Sequence, residues 1–248
     1  MISLKKIKKI QRRCCRDVPR CVSMMAFLFL LFVSVSLNAQ NSTDFGAILQ
    51  AEYQNNVYGN FDVLVKEDLR FDNNFSQYSR SKTTLGIDYK FVKYHLDGLK
   101  IGAGFDFINK YSGKHIYRNR YRFFVNASYK YAYHDWEFGY RTRFLLMYHD
   151  ESTGYYNYEA TCNWRNRLSV SYQRRFSRLR YTVYGEMYSA WNRDKQLQLN
   201  TLMFEGDVEY RLTRRQHLSL FVRDYRDIYI ESDQIRTLFF GIGWRYKH

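Results

Sequence analysis

Seven arginines and five glutamates could do chemistry if the chain gathers them: Arg118, Arg120, Arg122, Arg141, Arg143, Arg165 and Arg167, with Glu137, Glu159, Glu186, Glu205 and Glu209. A guanidinium is a permanent cation with a planar fork of donors, suited to carboxylates and phosphates. Lining a narrow pore, such groups favour anions. Crossed by carboxylates they form a salt-bridged plug, because buried charges normally pair. Both signs are present in quantity, which favours the plug. The arginines fall two residues apart in each group, and a period of two puts them on one face of a strand.

Other chemistry has weaker support in the residues. A lipid-modifying enzyme would need a Ser or His acting with an oriented partner near the membrane surface. His95, His115, His134, His149, His217 and His248 fall mostly in predicted turns or loops, and Ser112, Ser152 and Asp150 carry no nucleophile signature around them. Surface histidines are the expectation. No His or Cys pair has metal-ligand spacing, so neither metal nor cofactor is expected. Cys162 alternates with Ala160 and Trp164 and reads as a small buried hydrophobe.

The element that organises the chain is Tyr117 to Tyr133. Its odd positions run Tyr117, Asn119, Tyr121, Phe123, Val125, Ala127, Tyr129, Tyr131, Tyr133, and its even positions include Arg118, Arg120, Arg122 and Lys130. One face is aromatic and apolar, the other cationic. The length and charge suit a membrane barrel with lipid outside and water inside. A soluble lipocalin-like barrel, with the aromatic face inside, is the alternative; its opponent is strand length, since these residues could extend roughly 50 Å at about 3.3 Å per residue. Tyr117, Tyr121, Tyr129, Tyr131, Trp136, Trp164, Trp244 and Tyr246 fall on outward faces near strand ends. They read as interfacial girdle residues rather than a sugar-stacking surface.

The same alternation recurs along the chain and gives eleven candidate strands. Bacterial single-chain barrels have even numbers, so ten or twelve are expected: either residues 45–53 lie outside the ladder, or a strand is missed. Short connections near 93–98, 134–135, 177–178 and 213–216 alternate with longer ones near 72–79, 109–116, 149–157, 192–199 and 228–235, as in a barrel with periplasmic turns and outer loops. The fold expected is an all-β, antiparallel, up-and-down transmembrane barrel. Tyr117-Arg118-Asn119-Arg120-Tyr121 recurs 47 residues later as Trp164-Arg165-Asn166-Arg167-Leu168, a hairpin-pair period.

Composition agrees. Aromatics are 19% of the 248 residues, with 24 Tyr, and the single proline is Pro19. A proline-free stretch of this kind fits a chain that is nearly all strand. Mean hydropathy is −0.55, which argues against helical spans but not against a barrel. Residues 1–39 hold eight of the 39 basic residues and one of the 24 acidic ones, leaving a net charge of +8 on the rest. The basic residues there are interleaved with acidic ones, so nucleic acid is not the expected partner. Met24 to Leu37 is an apolar run after a basic leader, with Ala39 at a cleavage position; residues 1–39 read as a secretory signal peptide and 40–248 as the barrel domain.

Arg165-Asn166-Arg167-Leu168, Val208-Glu209-Tyr210-Arg211-Leu212 and the ending Phe239-Phe240-Gly241-Ile242-Gly243-Trp244-Arg245-Tyr246 carry a resemblance. Over nearly all of residues 44–247 the chain resembles the family called domain of unknown function 2490, small outer-membrane β-barrels of Gram-negative bacteria. The resemblance implies a fold and a location but no activity or catalytic residues. The partners expected from the class are outer-membrane lipid and, during biogenesis, the barrel-assembly machinery.

Overall fold

The computed structural model describes residues 43–92, 97–111, 116–149, 160–191, 196–228 and 236–248. Residues 1–39, read as a signal peptide, lie outside them. The described residues form eleven strands: β1 (Thr43–Tyr58), β2 (Phe61–Asp72), β3 (Gln77–Lys90), β4 (Leu99–Tyr111), β5 (Tyr117–Tyr133), β6 (Trp136–His149), β7 (Thr161–Tyr172), β8 (Leu179–Trp191), β9 (Leu197–Arg211), β10 (Gln216–Asp227) and β11 (Arg236–Lys247). Each pairs antiparallel with its sequence neighbours, and the sheet closes where β1 meets β11.

The closure corrects the expected even count. In an up-and-down chain every strand reverses the last, so an odd number brings the first and last into the same direction. β1 and β11 pair parallel, in register from Thr43 opposite Arg236 to Gln54 opposite Lys247. β1 is thus a full member of the ladder, and no twelfth strand is needed. Thr43 and the C-terminus stand at opposite ends of the barrel as a result.

Strands run further than the apolar alternation suggested. The polar stretch read as a loop at 72–79 contracts to a turn at 73–76, because Tyr78 and Arg80 pair with Phe71 and Arg70 across a bulge. Asn73, Asn74 and Phe75 take positive φ in this turn. The Asp44 carboxylate accepts the backbone N–H groups of Asn73 and Asn74, both at 3.2 Å, and ties the turn to the start of β1. The connections at this end, the loop end, are 73–76, 112–116, 150–160, 192–196 and 228–235. Those at the turn end are 59–60, 91–98, 134–135, 173–178 and 212–215. The length contrast between ends is thus smaller than expected: 91–98 is as long as 228–235.

The aromatic face is outside. Leu85, Ile87, Val125, Leu220 and Ile242 stand on the outer wall with about half their surface open. Thr142 and Asn166 also point outward, and each is satisfied by an aromatic neighbour: Trp164 Nε1 donates to Thr142 Oγ1 at 2.8 Å, and the Tyr140 hydroxyl donates to Asn166 Oδ1 at 2.8 Å. Inside, Phe239, Phe221 and Phe124 lie against the wall at Gly46, Gly241 and Gly104, where a Cβ would overlap their rings. Small residues opposite large ones let inward rings fill the lumen. Ile48, Phe221 and Phe239 form a buried cluster beneath Tyr225.

Candidate functional site

The candidate site is the lumen, built by the inward-facing alternate residues of all eleven strands. At the turn end, Glu137 accepts from Lys130 Nζ at 2.7 Å and Arg180 Nη2 at 2.7 Å. Arg245 bridges Glu52 at 2.8 Å and Glu209 at 2.7 Å, and His217 lies 3.2 Å from Glu209. Asp62 accepts from Lys90 at 2.6 Å and from Gln54 at 2.9 Å.

The waist is denser. Asp106 accepts from Arg122 Nε at 2.6 Å and from Thr84 Oγ1 at 2.5 Å. Glu186 accepts from Arg167 Nε at 2.7 Å and from Arg141 at 3.3 Å. Glu205 is held by Arg223. Asp68 accepts from Gln50 at 2.9 Å, with Lys82 at 3.6 Å and Arg80 at 3.7 Å. All four carboxylates are buried. Rings back the arginines: Arg167 lies 3.8 Å over Tyr184, Arg143 4.2 Å over Phe124 and Arg165 4.3 Å over Tyr188. A guanidinium over a ring gains cation–π attraction without a carboxylate.

Of the twelve charged residues singled out from the sequence, Arg122, Arg141, Arg167, Glu137, Glu186, Glu205 and Glu209 enter ion pairs. Arg143 and Arg165 stack on rings. Arg118 and Arg120 stand at the loop end, and Glu159 lies outside the described residues. The pairs are not only between arginine and glutamate. Asp62, Asp68 and Asp106 are the most buried carboxylates, and Arg70, Arg80, Lys82, Arg223 and Arg245 are further inward cations. The parity that found Arg118 to Arg122 marks these too. Which partner each meets depends on strand register, which parity does not give.

Tyr117, Tyr121, Tyr129, Tyr131, Trp164 and Trp244 are exposed on the outer wall. Trp136 packs on Tyr172 at 4.9 Å, and Tyr246 stacks on Tyr53 at 5.7 Å. They fall in two belts: Tyr117, Tyr121 and Trp164 towards the loop end, Tyr129, Tyr131, Trp136, Trp244 and Tyr246 towards the turn end. Cys162 is half-buried on the outer wall, opposite Leu146. His134 occupies a positive-φ turn position beside Asp135; His95, His115, Ser112, Asp150 and Ser152 lie outside the described residues. Among the described residues no group of three or more His, Cys, Asp or Glu could hold a metal ion.

No family model matches the chain, and no curated protein matches it in sequence. Among solved structures it is similar to an anion-selective porin from Comamonas acidovorans, at 9% identity and a TM-score of 0.37. The match covers 79% of this chain and 54% of the porin, so the chain spans about half the porin's length. A likeness this distant says nothing of selectivity in this chain.

Proposed function

We propose that the chain is an outer-membrane β-barrel whose lumen is closed at its waist by ion pairs and aromatic rings: a structural barrel of the envelope, not a standing pore. The observation that carries it is the burial of Asp68, Asp106, Glu186 and Glu205, each against at least one cation, inside a wall whose outer face is apolar. A carboxylate in an open aqueous pore would stay hydrated; these four have exchanged water for guanidinium, ammonium, hydroxyl and amide partners. Soluble monomers rarely expose apolar patches beyond a few hundred Å², so a closed belt of exposed Leu, Ile, Val and aromatic side chains supports lipid around the barrel. The apolar run before residue 40 and the resemblance to the domain of unknown function 2490 family support export to the outer membrane. Insertion would then fall to the barrel-assembly machinery.

Planar-bilayer recording of the refolded chain tests this reading. Protein shown to be folded and inserted by heat-modifiable gel mobility should give no steady conductance. Steady channels whose ion selectivity shifts in Arg120→Ala or Arg167→Ala would replace the closed barrel with a narrow charge-lined channel.

A further inference from the structure

Across most of the lumen, neighbouring strands set opposite charges side by side. Glu52 faces Lys66 on β2 and Arg245 on β11; Arg167 faces Glu186, Arg180 faces Glu209 and Glu205 faces Arg223. The longest departure from this is a row at the loop end. Arg70 on β2 is directly opposite Arg80 on β3, Arg80 is opposite Lys110 on β4, and Lys110 is opposite Arg118 on β5. All four occupy inward-facing positions at the loop end, and Arg120 stands one inward position deeper. Like charges directly opposite each other destabilise a sheet. Here four of them run across four consecutive strands.

Other like-charge pairs in the lumen are compensated. Arg141 and Arg167 face each other and share Glu186. Arg143 and Arg165 face each other with their guanidinium groups over Phe124 and Tyr188. The loop-end row is compensated at one edge only. Arg70 lies 4.3 Å over Phe239 and donates to the Tyr225 hydroxyl at 3.1 Å, and Arg80 shares Asp68 with Lys82 and Gln50. Among the described residues, Lys110, Arg118 and Arg120 have no ion-pair partner. The Nε atoms of Arg70, Arg80 and Arg118 are buried without a hydrogen-bond acceptor, as are those of Arg143 and Arg165 on their rings. Asp72, the next inward acid on β2, keeps a buried Oδ1 that accepts from none of them.

We propose that this row is an anion site, with Arg70, Arg80, Lys110, Arg118 and Arg120 holding a compact oxyanion of two or more negative charges, phosphate in its chemistry. Guanidinium groups match such oxygens with paired donors, and an ammonium adds a point charge. The bound anion adds to the negative charge that, among the described residues, only Asp68 and Asp72 bring to this row. The site depends on strand register and not on an open lumen, so bilayer recording and ligand binding can fail independently.

The test is calorimetric titration of the refolded protein in non-ionic detergent with pyrophosphate, at constant ionic strength set by chloride. Saturable binding is expected. In Lys110→Gln with Arg118→Gln the affinity should fall at least tenfold, while Lys130→Gln, at the turn end, should bind as the parent does. Without anion the double variant should melt at or above the parent temperature, since it removes repulsion; a merely structural role for the two cations would lower it. Nanodiscs of phosphatidylcholine with and without phosphatidic acid separate the sources of phosphate. Binding of pyrophosphate indicates a soluble ligand. Stabilisation by phosphatidic acid alone, lost in the double variant, indicates a lipid head group. Binding of neither, or equal pyrophosphate binding by parent and double variant, overturns the proposal.

Discussion

At the scale of the residue, what separates the charges is how much water each has given up. Glu186 is buried and held by two guanidinium groups. Removing its charge strands Arg141 and Arg167 in the waist, facing each other, and losing one partner of a buried pair costs about 3–5 kcal/mol. Glu186→Gln is expected to lose stability on that scale in urea unfolding from lipid vesicles, read as a lower midpoint at unchanged slope. Lys130, whose side chain is half exposed, makes an equally short contact with Glu137. Exposed pairs contribute about 0–1 kcal/mol, so Lys130→Ala should fall within that. Equal losses for the two variants would mean that the waist is hydrated, and the closed-lumen reading would go with it.

At the scale of the element, the strands were legible in the sequence because a period of two is a property of each strand alone. Tyr117–Tyr133 was readable to the residue, and so were both of its faces. Pairing is a property of two strands, and there the sequence falls short. Nothing in Phe45, Ala47, Leu49 and Ala51 says that their neighbour is β11 rather than water, and so the count stayed between even numbers. The waist was lost for the same reason. Asp68 and Asp106 were visible as inward residues, but their partners Lys82 and Arg122 are set by register. The turn at 73–76 was overlong in the sequence because polar strand ends look like loop. The parallel closure has a direct test. In a Cys162→Ser background, Ala47→Cys with Phe240→Cys places two outward thiols on residues paired in register. Adjacent strands lie about 4.8 Å apart, within the Cα separation a disulfide spans. Mild oxidation should cross-link this pair, seen as a reducible gel shift, and leave Ala47→Cys with Trp244→Cys free. A barrel closed without β1 would cross-link neither.

At the scale of the whole molecule, the two faces of one closed sheet differ in kind. The inner face pairs most of its carboxylates with its own cations. The outer face is mostly apolar between two aromatic belts; besides Thr142 and Asn166 it carries Glu67, which accepts from Thr83 at 2.6 Å, and Asp224 between Arg226 and Arg236 near the loop end. A soluble barrel could carry an arginine on such a face at little cost; a barrel in lipid could not. Val125 decides between them. It sits at the middle of β5, outward, between Ala103 on β4 and Phe144 on β6, with 56% of its surface open. Arginine at the bilayer midplane costs a transmembrane barrel about 2–4 kcal/mol, falling to about 0–1 near the interfaces. Val125→Arg should therefore lower stability by about 2–4 kcal/mol in vesicles. Tyr133→Arg, at the turn-end margin of the same strand and face, should cost about 1 kcal/mol or less. The depth dependence carries the argument, because a general packing defect would not follow position along the strand. Two equal, small losses, with the protein soluble and folded without detergent, would remove the membrane from the account and leave a water-soluble barrel with an apolar coat.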